Sequence, residues 1–336
     1  MAPWIPRMHV FEIDDQPWFP AWFRGRIQAA LTRAWTMRVP IVQSASPATL
    51  VADVLQREVL DRCGAPSTKS SPPTNMSRWY MVDFCAGGGG PTPSIERILN
   101  SRVDPGTEPR GAVDAAPTQF VLTDLHPHVQ DWAVAAAASS NVRFAAQSVD
   151  ASAADPQAIL QEAFGSSGMS VAPDARVCRL FSLAFHHFDD PLARKILKNT
   201  VETSDGFGIF ELQDRSFSAF VTTLFFGLGI MLSAPYYAWR WRSPMTLVFT
   251  YLIPILPFVL VFDGWMSMLR TRTPDEVEVL LRTCGADNTD AWELRSGEVR
   301  HLWPCGYLKW IVCTKKPAAG KIVSAATPAS GQRRTV

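Results

Sequence analysis

Apolar and polar positions alternate through the middle of the chain in a pattern that predicts strands and helices in turn. Short apolar runs typical of buried strands occupy residues 79–84, 119–123, 142–148, 175–183 and 206–212. Segments with helical spacing of apolar residues cover 93–99, 129–138, 156–164 and 191–203. Strands that alternate with helices predict an α/β fold with a doubly wound, mostly parallel sheet. Residues 291–294 and 307–313 are expected to add an antiparallel pair at one edge.

Two further helices are expected before the first strand, the second of them over residues 47–63. The first has apolar side chains at helical spacing, at Trp18, Phe19, Trp22, Phe23, Ile27 and Leu31. Arg24 and Arg26 lie beside its aromatic residues. This helix therefore fits two environments, the protein core and a membrane surface.

The pattern divides the chain into six segments. They are an N-terminal helical segment (1–63), a flexible linker (64–78), the α/β core (79–215), a hydrophobic insert (216–265), a C-terminal part of the core (266–316) and a disordered tail (317–336). A second linker is expected over 103–117. After the insert, Arg270 and Arg272 are expected to return the chain to solvent, and Thr273 or Asp275 to cap a helix through residue 281.

The insert contains two apolar runs, 217–237 and 245–262, each near the ~20 residues that cross a bilayer core. Arg240 and Arg242 lie in the short segment between them. Three interpretations remain open: a transmembrane hairpin, a hairpin lying in the membrane interface, or a buried lid over an apolar substrate. We expect a membrane-associated protein whose catalytic part faces the cytosol.

Composition narrows the function classes. The 336 residues carry 32 basic and 31 acidic side chains, a net charge of +1 that gives no footprint for nucleic acid. None of the six cysteines forms a CxxC pair, and Cys85, Cys178 and Cys313 lie in apolar runs. We interpret these three as buried apolar residues in a reducing compartment, and we predict neither a disulfide framework nor a metal site.

Candidate chemistry lies after the predicted strands. Gly87, Gly88, Gly89 and Gly90 follow the first strand, and glycine lets a backbone approach a ligand without a Cβ clash. Asp124 ends the second strand and Asp150 follows the third, where carboxylates meet the ligand of a doubly wound sheet. Glycines for close approach, an acid for ribose hydroxyls and an acid for the adenine edge together predict a nucleoside cofactor site.

Residues 79–213 resemble the class I S-adenosylmethionine-dependent methyltransferases, small-molecule type. The first motif of that family, an acid followed by alternating glycines, is matched by Asp83, Gly87 and Gly89, and Cys85 stands where many members have the earliest glycine. The resemblance implies a Rossmann-like fold and S-adenosyl-L-methionine as cofactor. It places the ribose on Asp124 with Leu125 and the adenine on Asp150 with Ala151. The segment 182–190, which begins at Ser182, resembles the fourth-strand segment of the family.

The acceptor end is marked by His186, His187 and Glu211. The two histidines follow the fourth strand and Glu211 ends the fifth. One histidine is a candidate base or acceptor-orienting group, and Glu211 faces the same cleft on this interpretation. Alternatively all three are structural, as helix caps or ion-pair partners.

These features predict a membrane-associated methyltransferase for an apolar small molecule such as a lipid, terpenoid, polyketide or similar secondary metabolite. Two alternatives share the architecture: a non-methylating enzyme such as a cyclase, and a dinucleotide-dependent oxidoreductase. The second is disfavoured by Pro91 and Pro93 at the start of the helix that follows the glycines. The oligomeric state is left open.

Overall fold

A computed structural model describes residues 3, 5–64, 79–102, 117–165, 171 and 175–316. The two predicted linkers fall outside these residues except for residues 64 and 117, and the predicted tail lies wholly outside them. Seven strands form one sheet: β1 (Trp79–Phe84), β2 (Gln119–Thr123), β3 (Val142–Phe144), β4 (Arg176–Ser182), β5 (Gly206–Glu211), β6 (Trp292–Leu302) and β7 (Gly306–Lys315).

The strand order is β3-β2-β1-β4-β5-β7-β6. The first five strands run parallel, whereas β7 is antiparallel to both β5 and β6. The order reverses direction between β1 and β4, which is the switch point where doubly wound sheets bind ligands. The predicted α/β fold and the antiparallel edge pair are confirmed.

Eleven helices are described: α1 (Ala21–Thr36), α2 (Pro47–Leu55), α3 (Asp61–Gly64), α4 (Thr92–Ser101), α5 (Val129–Ala138), α6 (Pro156–Gly165), α7 (Asp190–Thr203), α8 (Phe217–Arg240), α9 (Met245–Leu247), α10 (Ile255–Arg270) and α11 (Pro274–Arg282). A π-helical turn, Gln56–Leu60, joins α2 to α3, and a second, Val248–Leu252, follows α9.

Side chains of β1 divide between two cores because successive residues of a strand point to opposite faces. Tyr80, Val82 and Phe84 pack with α6, α7 and α11, whereas Trp79 and Met81 pack with α2 and α4. All six residues of β1 are buried. Helices cover both faces of the sheet. A site can therefore form only at its edge, at the carboxyl ends of the parallel strands.

Two local predictions were wrong. β3 ends at Phe144 rather than at residue 148, because the amides of Ala146 and Gln147 donate to the Glu162 carboxylate at 3.0 and 3.4 Å instead of to a neighbouring strand. β6 is longer than residues 291–294, because it pairs with β7 as far as Leu302. The predicted cap of α11 is confirmed in the first of its two alternatives: Thr273 forms a capping box with Glu276, and Asp275 lies in the first turn.

The hydrophobic insert folds as a hairpin of α8 and α10. Within the described residues only α8 is by itself long and apolar enough to cross a membrane, and its apolar window is 22% buried. The segments Met245–Leu252 and Ile255–Arg270 pass the same test only as a pair, and they meet at 66°. α1 and the residues just before it pack against α10, with Phe19 and Ile27 on one side and Val259 and Leu260 on the other, all of them buried.

Candidate active site

The glycine turn after β1 uses backbone conformations that favour glycine. Gly87, Gly89 and Gly90 have φ of 50°, 99° and 48°. The Gly87 amide donates to Asp124 Oδ2 at 2.9 Å, and Trp132 Nε1 donates to the Gly87 carbonyl at 2.7 Å. The turn is therefore fixed at the switch point by side chains from β2 and α5.

Cys85 corrects one expectation from the sequence. Its side chain is exposed at the mouth of the turn, whereas Cys178 and Cys313 are buried as predicted. Its φ of 61° is left-handed, a strained conformation for a residue with a Cβ. Cys85 stands where the resembled family often has glycine, and its backbone adopts a conformation that favours glycine.

Asp124 connects the end of β2 with the loop that follows β3. Its Oδ1 accepts the His126 amide at 2.8 Å, and its carbonyl accepts the Val149 amide at 2.9 Å. Beside it, Leu125 is 52% exposed, and its carbonyl accepts Ser148 Oγ at 2.7 Å. A carboxylate has about four acceptor positions, so Asp124 keeps capacity for a ligand.

Asp150 is exposed and accepts the Ser152 amide at 2.8 Å. Its neighbour Ala151 is buried and accepts Arg179 Nη1 at 3.1 Å. Arg179 comes from β4, is fully buried, and also donates to oxygens of Ser204, Asn199 and Thr203. Burial lowers the pKa of Arg179 to about 9. This guanidinium holds the Asp150 turn against the sheet edge.

Asp83 and Ser182 each have a side-chain oxygen without a partner in the described chain. Asp83 is 1% exposed, and only its Oδ2 is bonded, by Thr92 Oγ1 at 2.6 Å. Burial raises the pKa of Asp83 to about 7, with Thr92 opposing and Asp124 adding to the shift. Ser182 Oγ, at the end of the adjacent strand β4, is likewise unpaired. Unpaired buried oxygens are unfavourable and suit a site that a ligand completes.

His186 and Glu211 form a buried pair at the ends of β4 and β5. His186 Nδ1 lies 3.1 and 3.0 Å from the two Glu211 carboxylate oxygens, and the residues are 2% and 4% exposed. A carboxylate on Nδ1 fixes the ring so that Nε2 is the nitrogen available for proton transfer. The structure therefore brings these two predicted residues together.

Glu12, which the sequence reasoning missed, lies on the other side of His186. Its Oε1 is 3.8 Å from His186 Nε2, and it receives bonds from Arg270 Nη1 and Ser267 Oγ, both at 2.9 Å. Glu12 precedes every predicted strand, so a search of strand ends does not reach it. The available signal was the acidic group of Glu12, Asp14 and Asp15 within the aromatic-rich start.

Arg270 and Arg272 are buried, so the expectation that they return the chain to solvent was wrong. Besides Glu12, Arg270 contacts Asp15 Oδ2 at 3.3 Å. Arg272 donates to the Phe185 and Phe188 carbonyls at 3.1 and 2.7 Å, and thereby holds the turn that carries His186. Both guanidinium groups therefore hold the surroundings of His186 in place.

Donor atoms of Glu12, His186 and His187 lie within 4.8 Å of one another, which is compatible with metal ligands. Two observations favour an ion-pair network instead. Arg270 already supplies a positive charge 2.9 Å from Glu12 Oε1. His187 Nδ1 is engaged by Asp15 Oδ2 at 3.1 Å. A metal would have to displace these contacts and take a neutral imidazole.

Desolvation lowers the pKa of His187, but the Asp15 hydrogen bond and the charges of Glu12 and Asp15 outweigh it and raise the pKa to about 9. His187 and Arg270 in turn lower the pKa of Asp15 to about 2, against desolvation. His187 is therefore charged at neutral pH, which makes it a poor general base there. His186 is the better placed of the two candidates.

The His187–Asp15 pair predicts a pH window of stability. Its contribution is complete between about pH 3.8 and 6.5, the ordinary pKa values of the two groups. It is lost as the pH rises through about 9 and as it falls through about 2. The melting temperature of His187→Gln is expected to lie below that of wild type near pH 6 and to converge with it above pH 9. A constant difference across this range would contradict the assignment.

A cavity of about 670 Å³ opens beside the His186–Glu211 pair. Its lining is mixed: charged side chains, among them Glu211, Arg215 and Lys309, stand beside apolar ones such as Phe185, Val277 and Ile311. The lining includes neither Asp124 nor any residue of the glycine turn. The predicted cofactor residues and the cavity thus occupy neighbouring parts of one sheet edge.

No model of a known family matches the chain, and no curated protein does either. Solved structures with a similar fold include a putative O-methyltransferase from Nostoc punctiforme (14% identity, TM-score 0.43, 92% of this chain and 64% of that one). The DszA carbon methyltransferase has 13% identity and a TM-score of 0.39, with 80% and 53% of the chains covered. A putative zinc-dependent alcohol dehydrogenase from Rhodobacter sphaeroides has 12% identity and a TM-score of 0.34, with 80% and 98% covered.

The chain thus spans less than two thirds of the length of the first two of these proteins. Several further neighbours are described as S-adenosylmethionine-dependent methyltransferases. Identities and TM-scores at this level do not bear on the substrate. The fold assignment rests on the strand order and connections of the chain itself.

Proposed function

We propose that this chain is an S-adenosylmethionine-dependent methyltransferase that acts on an apolar small molecule at a membrane. One observation carries the proposal: the glycine turn, Asp124 and the Asp150 turn are bonded to one another at the switch point, beside a buried His186–Glu211 pair. We propose a lipid, a terpenoid or a polyketide as the acceptor, because a molecule with an apolar body and polar groups fits a cavity that both kinds of side chain line.

The residues at the switch point fit this cofactor in three respects. The positive φ of Gly87 and Gly89 admits close approach of a ligand. Asp124 has free acceptor positions for ribose hydroxyls, and the exposed Asp150 carboxylate can accept from an adenine amino group. The unpaired Asp83 Oδ1 is a potential acceptor for an ammonium group. When bound, S-adenosylmethionine would supply an activated methyl group at this edge.

The chain's own contribution to methyl transfer is positioning, exclusion of water and proton removal. With Glu211 on Nδ1, His186 Nε2 is placed to take a proton from an acceptor hydroxyl or acidic carbon. Glu12 and Arg270 enclose that nitrogen and limit access of water. The apolar side chains of the lining, which include Phe185 and Ile311, suit the body of the acceptor.

A dinucleotide-dependent oxidoreductase is the weaker candidate. Such enzymes bind pyrophosphate on amides at a helix N-terminus. Here Pro91 and Pro93 remove two of the amides at the start of α4. A cyclase that uses the same bound cofactor is distinguished from a methyltransferase only by its product.

Titration of the purified protein with S-adenosylmethionine tests the proposal first. Saturable binding is expected, whereas a nicotinamide dinucleotide is expected to give none. Incubation with a labelled methyl donor and a lipid extract should then give a labelled apolar product. Absence of binding by a protein with an intact circular-dichroism melt would refute both the methyltransferase and the cyclase. Binding without label transfer would favour the cyclase.

A further inference from the structure

The outer side of α8 carries a continuous row of exposed apolar side chains. They recur at helical spacing along the helix: Leu224, Phe225, Leu228, Met231, Leu232, Tyr236 and Trp239. Met245, Leu247, Tyr251, Leu252 and Ile253, from the segment after the hairpin tip, are exposed as well. We call these residues the α8 face. An exposed apolar area of this extent marks an interaction surface.

The inner side of the hairpin belongs to the globular body. α10 carries three buried polar residues, Asp263, Ser267 and Arg270. Asp263 accepts the amides of Ile13 and Asp14 at 2.7 and 3.0 Å. Ser267 and Arg270 hold Glu12, next to the candidate active site. α10 therefore cannot leave the body to cross a bilayer beside α8.

α1 ties the tip of the hairpin to the same body. Phe23 contacts Phe249 with ring centroids 4.8 Å apart, close to the bend of the second run. Nearer the tip, the Arg26 guanidinium lies 4.7 Å from the Trp241 ring and that of Arg33 lies 5.8 Å from the Tyr237 ring. A spanning hairpin would have to carry these arginines into the hydrocarbon, which is strongly unfavourable.

The charged side chains of residues 217–262 and of α1 are of one sign. Residues 217–262 contain Arg240 and Arg242 but no acidic residue, and both arginines are exposed. Residues 21–36 contain Arg24, Arg26 and Arg33, again without an acid. Tyr236 and Trp239 lie beside the tip arginines, which is the aromatic and basic composition of a membrane interface.

We propose that the α8 face lies in the plane of an anionic bilayer surface, so that the chain enters one leaflet and does not cross the membrane. This sharpens the membrane association proposed above and is independent of methyl transfer. The tip arginines contact lipid headgroups, and the apolar row of α8 rests among the upper acyl chains. The cavity beside His186 then stays on the body side of the hairpin.

Flotation of the full-length protein with vesicles tests the surface. Vesicles of phosphatidylcholine with phosphatidylserine are expected to bind it, and vesicles of phosphatidylcholine alone to bind it at least about tenfold less, with the difference shrinking in high salt. Leu232→Glu should lower binding by about tenfold or more, because it places a charge among acyl chains. Val134→Glu, at an equally exposed apolar position on α5, is the control and should bind like wild type.

Labelling of the tip separates the two topologies. Ser243→Cys is bound to closed vesicles and exposed to a membrane-impermeant maleimide, and the modified peptide is identified by mass spectrometry. Modification without detergent is expected. Protection until detergent is added would show a spanning hairpin and overturn the proposal while leaving membrane association intact. The proposal would also be overturned if Leu232→Glu floated as well as wild type. The same holds if the wild-type protein were a dimer in solution and floated with neither kind of vesicle.

Discussion

Replacing Asp124 with alanine is expected to weaken binding of S-adenosylmethionine by at least about 100-fold, because two charge-assisted hydrogen bonds to the ribose are lost. The same change removes the acceptor of the Gly87 amide, so the glycine turn also loses its fixed position. Calorimetric titration measures the effect. Asp124→Asn keeps an oxygen for Gly87 but loses the charge, and we expect it to fall between alanine and wild type.

Asp287→Ala is the matched control for this experiment. Asp287 is exposed and lies in the loop before β6, at the opposite edge of the sheet from β2. Its removal should leave the affinity unchanged. If Asp124→Ala bound the cofactor like wild type, the nucleoside site would have to lie elsewhere on the sheet edge.

Glu211→Gln is expected to lower kcat for methyl transfer by about 10²–10⁴-fold, the range typical of a lost general base. Glutamine keeps the shape of the side chain, but it no longer stabilises the positive charge that His186 acquires on taking a proton. His186→Gln should have an effect of the same size, and the double variant should be no worse than either single one. Steady-state assays on the identified acceptor provide the measurement.

Two readouts separate this role from a structural one. Affinity for S-adenosylmethionine should not change in Glu211→Gln, and the acidic limb of the pH–rate profile should shift or vanish. Glu202→Gln, which breaks a surface pair with Lys198 on α7, serves as the control. A loss of kcat that keeps the wild-type pH profile would make the pair a positioning element only.

The positions of the proposed cofactor residues could be predicted from sequence because their signals are local. Each strand is a short apolar run. Asp83 lies near the end of β1, Asp124 directly follows β2, and Asp150 lies in the loop between β3 and α6. Parallel strands bring those ends to one edge of a sheet, so their order along the chain was sufficient. The lengths of β3 and β6 were not predictable in this way, since they depend on Glu162 and on pairing with β7.

The surroundings of His186 could be predicted only in part. His186 and Glu211 follow strands and were found by the same rule. Glu12 was missed because its partners lie far along the chain, with Ser267 255 residues away. The burial of Arg270 and Arg272 has the same cause. Arginines after an apolar run are usually solvated, but distant segments enclose these two: Arg270 contacts Glu12 and Asp15 of the N-terminal segment, and Arg272 donates to carbonyls of the turn that follows β4.

The path of that N-terminal segment has a consequence for biosynthesis. Val10, Glu12 and Ile13 form hydrogen bonds with residues of α10 that lie 260, 255 and 250 positions further along the chain. During translation these residues leave the ribosome well before α10 does. Glu12 and the aromatic residues around it therefore stay without these partners while the parallel strands β1 to β5 are made, which exposes apolar side chains to aggregation. Closure of the candidate site has to wait until the hydrophobic hairpin and β7 have followed.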